Sequence, residues 1–186
     1  MRNEFASKPK DGSMSSSTPP SLAPRNVIGL SEKRARKLID EGFEHFSRGS
    51  VQKALTAFED SLRAHTTADA YTYCAWMLSF AGELDVAIEL CKKAISLDPE
   101  FGNPYNDIGT YFMKKGELQS AIPWLERAKH ATRYSQKQFP FLNLGRIYLS
   151  QGMFLKALTE FEQALVHDPE NGELHHVVAH LRQNHS

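Results

Sequence analysis

The chain has no surplus of either charge. Its 22 Lys and Arg are matched by 22 Asp and Glu, for a formal net charge of zero. A general nucleic-acid binder needs excess positive charge to release counterions. A membrane-surface protein held by basic residues needs the same excess. Neither class is therefore expected. Apolar runs are short and broken by charges, too short for a transmembrane helix. Cysteine is scarce: Cys74 and Cys91 are the two present, and no Cys-x-x-Cys occurs. No strand pattern exists to carry a glycine-rich phosphate loop. The first residues include Arg2, Glu4, Lys8 and Lys10 with no apolar stretch, so no secretory signal is read there. The expected setting is the cytoplasm, with both thiols reduced.

Residues 1–30 are rich in Ser, Pro, Lys and Gly and poor in large apolar groups, with Ser15, Ser16, Ser17, Thr18, Pro19 and Pro20 in succession. Such a stretch cannot bury enough surface to offset its conformational entropy, and a disordered tail is expected through residue 30. Ser31 is then expected to cap the first helix, with Glu32 in its first turn where the helix dipole favours an acid.

What the chain does have is a repeat. Ala54, Ala87, Ala121 and Ala157 fall in one column, spaced 33, 34 and 36 residues apart by subtraction of their numbers. Five residues before each stands a glycine: Gly49, Gly82, Gly116 and Gly152. Four after each stands Phe58, Cys91, Leu125 or Phe161. Seven after stands Ser61, Ala94, Ala128 or Ala164, and twelve before stands Gly42, Ala75, Gly109 or Gly145. The columns describe a helix, a turn whose glycine takes positive φ, and a second helix. Small residues let the two helices approach, and large ones fill the space between pairs. One pair cannot bury its own apolar face, so such units come in stacks.

These columns resemble the tetratricopeptide repeat, a helix pair of about 34 residues with small residues at fixed positions and a proline near its end. Asp98-Pro99 and Asp168-Pro169 end their helices in that manner. The resemblance runs over repeats near 35–67, 68–101, 102–137 and 138–171, within a domain at 31–186. It implies an all-α fold: a right-handed superhelix (α-solenoid) of four helix pairs. The stretch 172–184, with Val177, Val178 and Leu181 on one side and His175, His176 and His180 among its polar residues, is expected to be a C-terminal capping helix. Departures are Thr66 and Arg133 in place of proline, and an insertion at Tyr134-Ser135-Gln136-Lys137 that calls for a longer connection or helix. Pro123 falls just past the first turn of a helix starting near Leu118, where it costs little.

Catalytic patterns are missing, and no enzyme is expected. Cys74 and Cys91 read as small hydrophobes packing together in the second repeat rather than as a redox pair. His176 and His180 share a helix face with Glu173, but a closed metal site needs four ligands and a catalytic one three with a pocket. No metal and no cofactor are expected.

The resemblance also implies where a partner would sit. Family ligands bind the concave side, lined by first helices. Carried over by column, the candidate groove residues are Asp40 and Phe43 in the first repeat, Tyr73 and Trp76 in the second, Asn106, Asp107 and Thr110 in the third, and Asn143 and Arg146 in the fourth. The asparagines suit both groups of an extended peptide backbone. Tyr73 suits an apolar anchor. Phe43 and Trp76 fit either that use or packing against neighbouring helices, and the sequence leaves the choice open. The family's clamp for chaperone C-terminal carboxylates, built of Lys, Asn, Asn, Lys and Arg, is not matched. Its columns hold Ile39, Phe43, Tyr73, Asn103 and Asp107 here, or Thr72, Trp76, Asp107, Phe139 and Asn143 after a shift by one repeat. The sequence therefore predicts a non-catalytic adaptor for a peptide or protein partner other than a chaperone tail, with no nucleic acid and no membrane. A self-associating structural subunit is the alternative.

Overall fold

The turn glycines set the plan of the molecule. In the computed structural model, which describes residues 25–185, Gly49, Gly82, Gly116 and Gly152 have φ between 71° and 81°. At each, the next residue's N–H reaches back to a carbonyl five residues earlier, as from Glu117 to Phe112 and from Met153 to Tyr148, both at 2.9 Å. A residue with a Cβ is strained at that φ, so glycine ends the first helix of each pair and reverses the chain.

Four antiparallel pairs result: α1 (Arg25–Ser47) with α2 (Val51–Ala64), α3 (Ala68–Phe80) with α4 (Leu84–Leu97), α5 (Gly102–Lys114) with α6 (Leu118–His130), and α7 (Gln138–Ser150) with α8 (Phe154–His167). A ninth helix, α9 (Gly172–His185), lies on α8. Among the described residues there is no strand, only an isolated bridge between Phe101 and Arg133. The fold is the all-α superhelix of four pairs with a cap. Successive pairs stack, and α5 also touches α3 and α7, so the first helices share one face. The cap seals the array: Leu174, Val178 and Leu181 pack on Phe161 and Ala164, closing the apolar side of α8.

Within each pair, one small residue on the first helix meets one larger residue on the second. A Cβ on Gly42 would overlap the Phe58 ring, on Gly109 it would stand 2.5 Å from Leu125, and on Gly145 it would overlap Phe161. In the second pair the same two positions hold Ala75 and Cys91, both fully buried in one cluster. The sequence thus trades size across the contact: glycine faces Phe or Leu, and alanine faces the smaller Cys. The packing is too dense for both partners to be large.

Several expectations change. The first helix begins at Arg25, so residues 25–30 are helical and not tail, and Ser31 lies inside α1 instead of capping it. Leu30 is 65% exposed; a helix already nucleated adds residues at little cost. The remainder of the expected tail, residues 1–24, lies outside the described residues. Cys74 and Cys91 are both buried but do not pack together. Cys74 sits with Leu55, Phe58 and Met77, on the side facing α2, and Cys91 with Ile88 and Ile108, on the side facing α5. Burial pushes the Cys74 thiol up to about 12 and Cys91 well above its ordinary value. Pro123 is inside α6, which runs through it. The insertion before α7 becomes a longer connection, residues 131–137, where Tyr134 is buried on Tyr105 and Ala131.

The size trade makes a measurable prediction. Gly145→Ala is expected to cost about 1–3 kcal/mol by overpacking against Phe161. Gly145→Ala with Phe161→Cys copies the Ala75–Cys91 pair and is expected to cost less than the sum of the single changes by about 1 kcal/mol or more. Urea unfolding of the four chains measures the coupling; strict additivity would show that the two positions do not interlock.

Candidate functional site

The face shared by α1, α3, α5 and α7 carries a chain of clefts. One lies between α1 and α3, lined by Glu32, Arg36, Ile39, His65, Asp69 and Tyr73. A second is lined by Asp69, Tyr73, Phe101, Asn103, Arg133 and Tyr134. A third, between α3, α5 and α7, is lined by Thr72, Tyr73, Trp76, Asn103, Asp107, Gln136 and Phe139. Tyr73 belongs to all three and Asn103 to two, so they join into one trough. A further cleft between α7 and α9 holds Leu142, Arg146, Leu149, Asn171 and Glu173.

The aromatic candidates fall in two ring clusters, one of Phe43, Phe58 and Tyr73 and one of Phe46, Trp76 and Phe80. Phe43 meets Phe58 edge-on at 5.4 Å and Tyr73 at 4.9 Å. Trp76 lies 4.4 Å from Phe46 and 5.8 Å from Phe80. The choice left open for Phe43 and Trp76 is not exclusive. Both pack between helices, while Phe43 remains 38% exposed and Trp76 lines the third cleft.

The polar candidates gather where α5 meets α7. Asn143 donates through Nδ2 to Oδ1 of Asn106 at 3.1 Å and to Oγ1 of Thr110 at 3.3 Å, while its own Oδ1 accepts from Arg146 at 3.4 Å. Thr110 donates to the Asn106 carbonyl at 3.0 Å. Asn143 is only 8% exposed. A role for it in bonding an extended peptide backbone is therefore not what the geometry offers: its amide ties α7 to α5, and such a buried polar group needs those partners. Arg146 remains exposed at the edge. Asp40 is exposed on α1, apart from these contacts.

Asp107 is the electrostatic centre of the trough. Burial pushes its carboxyl up to about 7, against the opposing pull of a hydrogen bond from Asn106 and the charge of Lys114. Its charge in turn raises Cys91 on α4, Tyr111 on its own helix and Tyr134 in the α6–α7 connection, in each case after burial as the larger cause. Among the described residues it has no ion-pair partner.

Arg133 is the residue that sequence reasoning missed. It appeared only as a replacement for proline. Its guanidinium reaches Asp98 at 2.6 Å and both carboxylate oxygens of Asp69 at 3.1 and 3.2 Å, and lies 3.6 Å from the Phe101 ring centroid. The backbone pairs beside it, with Gly102 N–H donating to the Arg133 carbonyl and Arg133 N–H to that of Glu100. One arginine thus fastens the end of α6 to the ends of α3 and α4. Only the single Arg standing where proline is usual signalled it; a pairing 64 residues apart leaves no local pattern. Asp69, another first-helix groove position, is consumed by it.

Among the described residues, no group of three or more His, Cys, Asp or Glu is placed to hold a metal ion, and no helix is long and apolar enough to cross a membrane.

The raised carboxyl has a stability consequence. An unfolded Asp ionises near pH 4, and folded Asp107 near 7. Between those values the folded chain holds a proton that the unfolded chain has lost, so its contribution falls as pH rises through that window and stays unfavourable above it. Asp107→Asn removes the titration. The variant is expected to gain stability relative to the parent by about 2 kcal/mol between about pH 5 and pH 7.5. Unfolding free energies at several pH values test this, and a difference that does not change with pH would contradict it.

Tetratricopeptide-repeat family models match residues 68–101 and 139–171. The BBSome complex member BBS4 of Bos taurus is 26% identical over 127 residues, which is 68% of this chain and 24% of that protein; the chain thus spans about a quarter of this relative. Pseudomonas aeruginosa PilF superposes with a TM-score of 0.74 at 22% identity, over 82% of this chain and 69% of its own. YrrB, described as a TPR protein with an unusual peptide-binding site, superposes with a TM-score of 0.60 at 19% identity, over 87% and 84%. With its glycine-turned helix pairs, its interlocking small and large columns and these matches, the chain belongs to the tetratricopeptide-repeat family.

Proposed function

We propose that this chain is a non-catalytic adaptor that binds a peptide or a segment of a protein along the trough of α1, α3, α5 and α7. The observation that carries the reading is the continuity of the trough through Tyr73 and Asn103. It offers exposed aromatic faces beside amides and a carboxylate, the mixture from which binding hot spots are built. The family to which the chain belongs mediates protein–protein contacts, and YrrB, of the same fold, is a peptide binder by its description. Residues Phe43, Tyr73, Trp76, Asn106, Asp107 and Thr110 form the contact surface in this reading, with Arg146 at its far end. Asn143 acts behind the surface by fixing Asn106. Asp40 lies at the near margin. We place the protein in the cytoplasm, where two buried, unpaired thiols are at home.

The full chain serves as bait in a native lysate. Beside it run a trough variant, Asn103→Lys with Phe139→Ala and Arg146→Glu, and a back-face variant, Lys92→Glu on α4. The altered side chains are at least partly exposed, so folding is preserved. A partner held by the parent and the back-face variant but weakened at least about tenfold by the trough variant is the expected result. Equal retention by all three would move the interface off the trough.

Self-association is the second reading, favoured by one surface. Leu149, Met153 and Leu155, at the α7–α8 turn, are 36%, 43% and 64% exposed, and such clustered apolar groups mark interfaces. Sedimentation equilibrium of the full chain decides it: a mass that rises with concentration and reverts to monomer in Met153→Ser with Leu155→Lys supports an oligomer, and a constant monomer mass rejects it.

A further inference from the structure

The third cleft has a composition that specifies more than a generic groove. Its walls carry the rings of Tyr73 and Trp76 from α3 and Phe139 from α7, and its lining holds one charged side chain, Asp107 of α5. Phe139 is 39% exposed. The amides of Asn103 and Gln136 line the same space. No cation of the described residues pairs with Asp107; Lys114, two turns along α5, stacks instead on Phe80 and Tyr111, 6.0 and 5.7 Å from their centroids. An acid in an aromatic cleft, unpaired and partly buried, is poorly solvated and poorly compensated.

We propose that this cleft is a subsite for a cationic side chain, arginine or lysine, of the bound peptide, with Asp107 as its counter-charge and the Trp76, Tyr73 and Phe139 rings as its walls. The proposal rests on the trough reading and names the chemistry of its partner. Aromatic faces attract a cation through their quadrupoles, the more so when water is excluded. A carboxylate adds a charge-assisted hydrogen bond, and the planar guanidinium of arginine can stack on a ring while binding both carboxylate oxygens. Amide oxygens of Asn103 and Gln136 accept the remaining N–H groups. The raised Asp107 carboxyl fits this use: a cation entering the cleft favours the ionised form, so binding releases a proton and strengthens as pH rises through the neutral range. Lys114 faces Asp107 as an opposing charge, while Cys91, Tyr111 and Tyr134, all raised by burial and by Asp107, hold their protons there.

The test is a titration of the ¹⁵N-labelled full chain with acetyl-arginine amide, acetyl-lysine amide and the neutral acetyl-norleucine amide. The indole N–H signals of Trp76 and Trp124 report separately, because Trp124 packs on Tyr105 from α6. Saturable shifts at Trp76 and Asn103 with the two cations, absent with norleucine, unmoved at Trp124 and weakened about tenfold or more by Asp107→Asn, are expected. Affinity is expected to rise between about pH 6 and pH 8 in the parent and stay flat in the variant. Equal response to norleucine, indifference to Asp107→Asn, or no saturable shift at Trp76 overturns the subsite. Failure of the trough reading looks different: the cations bind as stated, yet the lysate partner is retained by the trough variant. Conversely, a partner lost by the trough variant but insensitive to Asp107→Asn removes the subsite and leaves the trough.

Discussion

Everything in this molecule depends on how closely the two helices of each pair can approach. The distance is set at one contact, where Gly42, Ala75, Gly109 or Gly145 faces Phe58, Cys91, Leu125 or Phe161. Were both partners large, the helices would separate, the next pair would lose its seat, and the first helices would no longer share a face. The contact is also the reason the columns are readable at all. A position that tolerates only glycine or alanine in four copies stands out against helix surface, where many residues serve equally.

Legibility therefore follows packing. The helix pairs, the turn glycines and the sealing role of Val178 and Leu181 were readable because each answers to a local steric demand. The start of α1 was not. Composition marked residues 25–30 as unable to build a core, which is a statement about burial, whereas a helix can extend simply by adding backbone hydrogen bonds. The two cysteines misled for a related reason. Proximity in sequence suggested one contact, yet side chains on adjacent helices of one pair can point to opposite neighbours, and these do.

The trough was legible by column but not by role. Nine candidates were assigned from register alone, and register says which residues face a side, not what they do there. Asn143 faces the right way and is spent on Asn106 and Thr110. Asp69, another first-helix position, is held by Arg133. Phe43 and Trp76 pack and remain open to the cleft at once, since an aromatic ring has two faces and an edge. What distinguishes Asp107 could not be seen in the chain. Its neighbours come from α3, α5, α7 and the connection before α7, a set that only the stacked fold assembles.

Two features on this face, then, are of opposite kinds. Around Arg133, each carboxylate already has the guanidinium as its partner and the ring is stacked, and the cluster fastens three helix ends. Around Asp107, the aromatic walls and the amides are in place but the cation is missing. A folded protein gains nothing by keeping a carboxylate unpaired among rings; asparagine would fit the same space without the titration. The arrangement loses stability within the chain and recovers it only through something brought from outside. That asymmetry between two acid-bearing clusters a short way apart, one closed by its own arginine and one open, is the physical argument for looking to the partner for the missing positive charge.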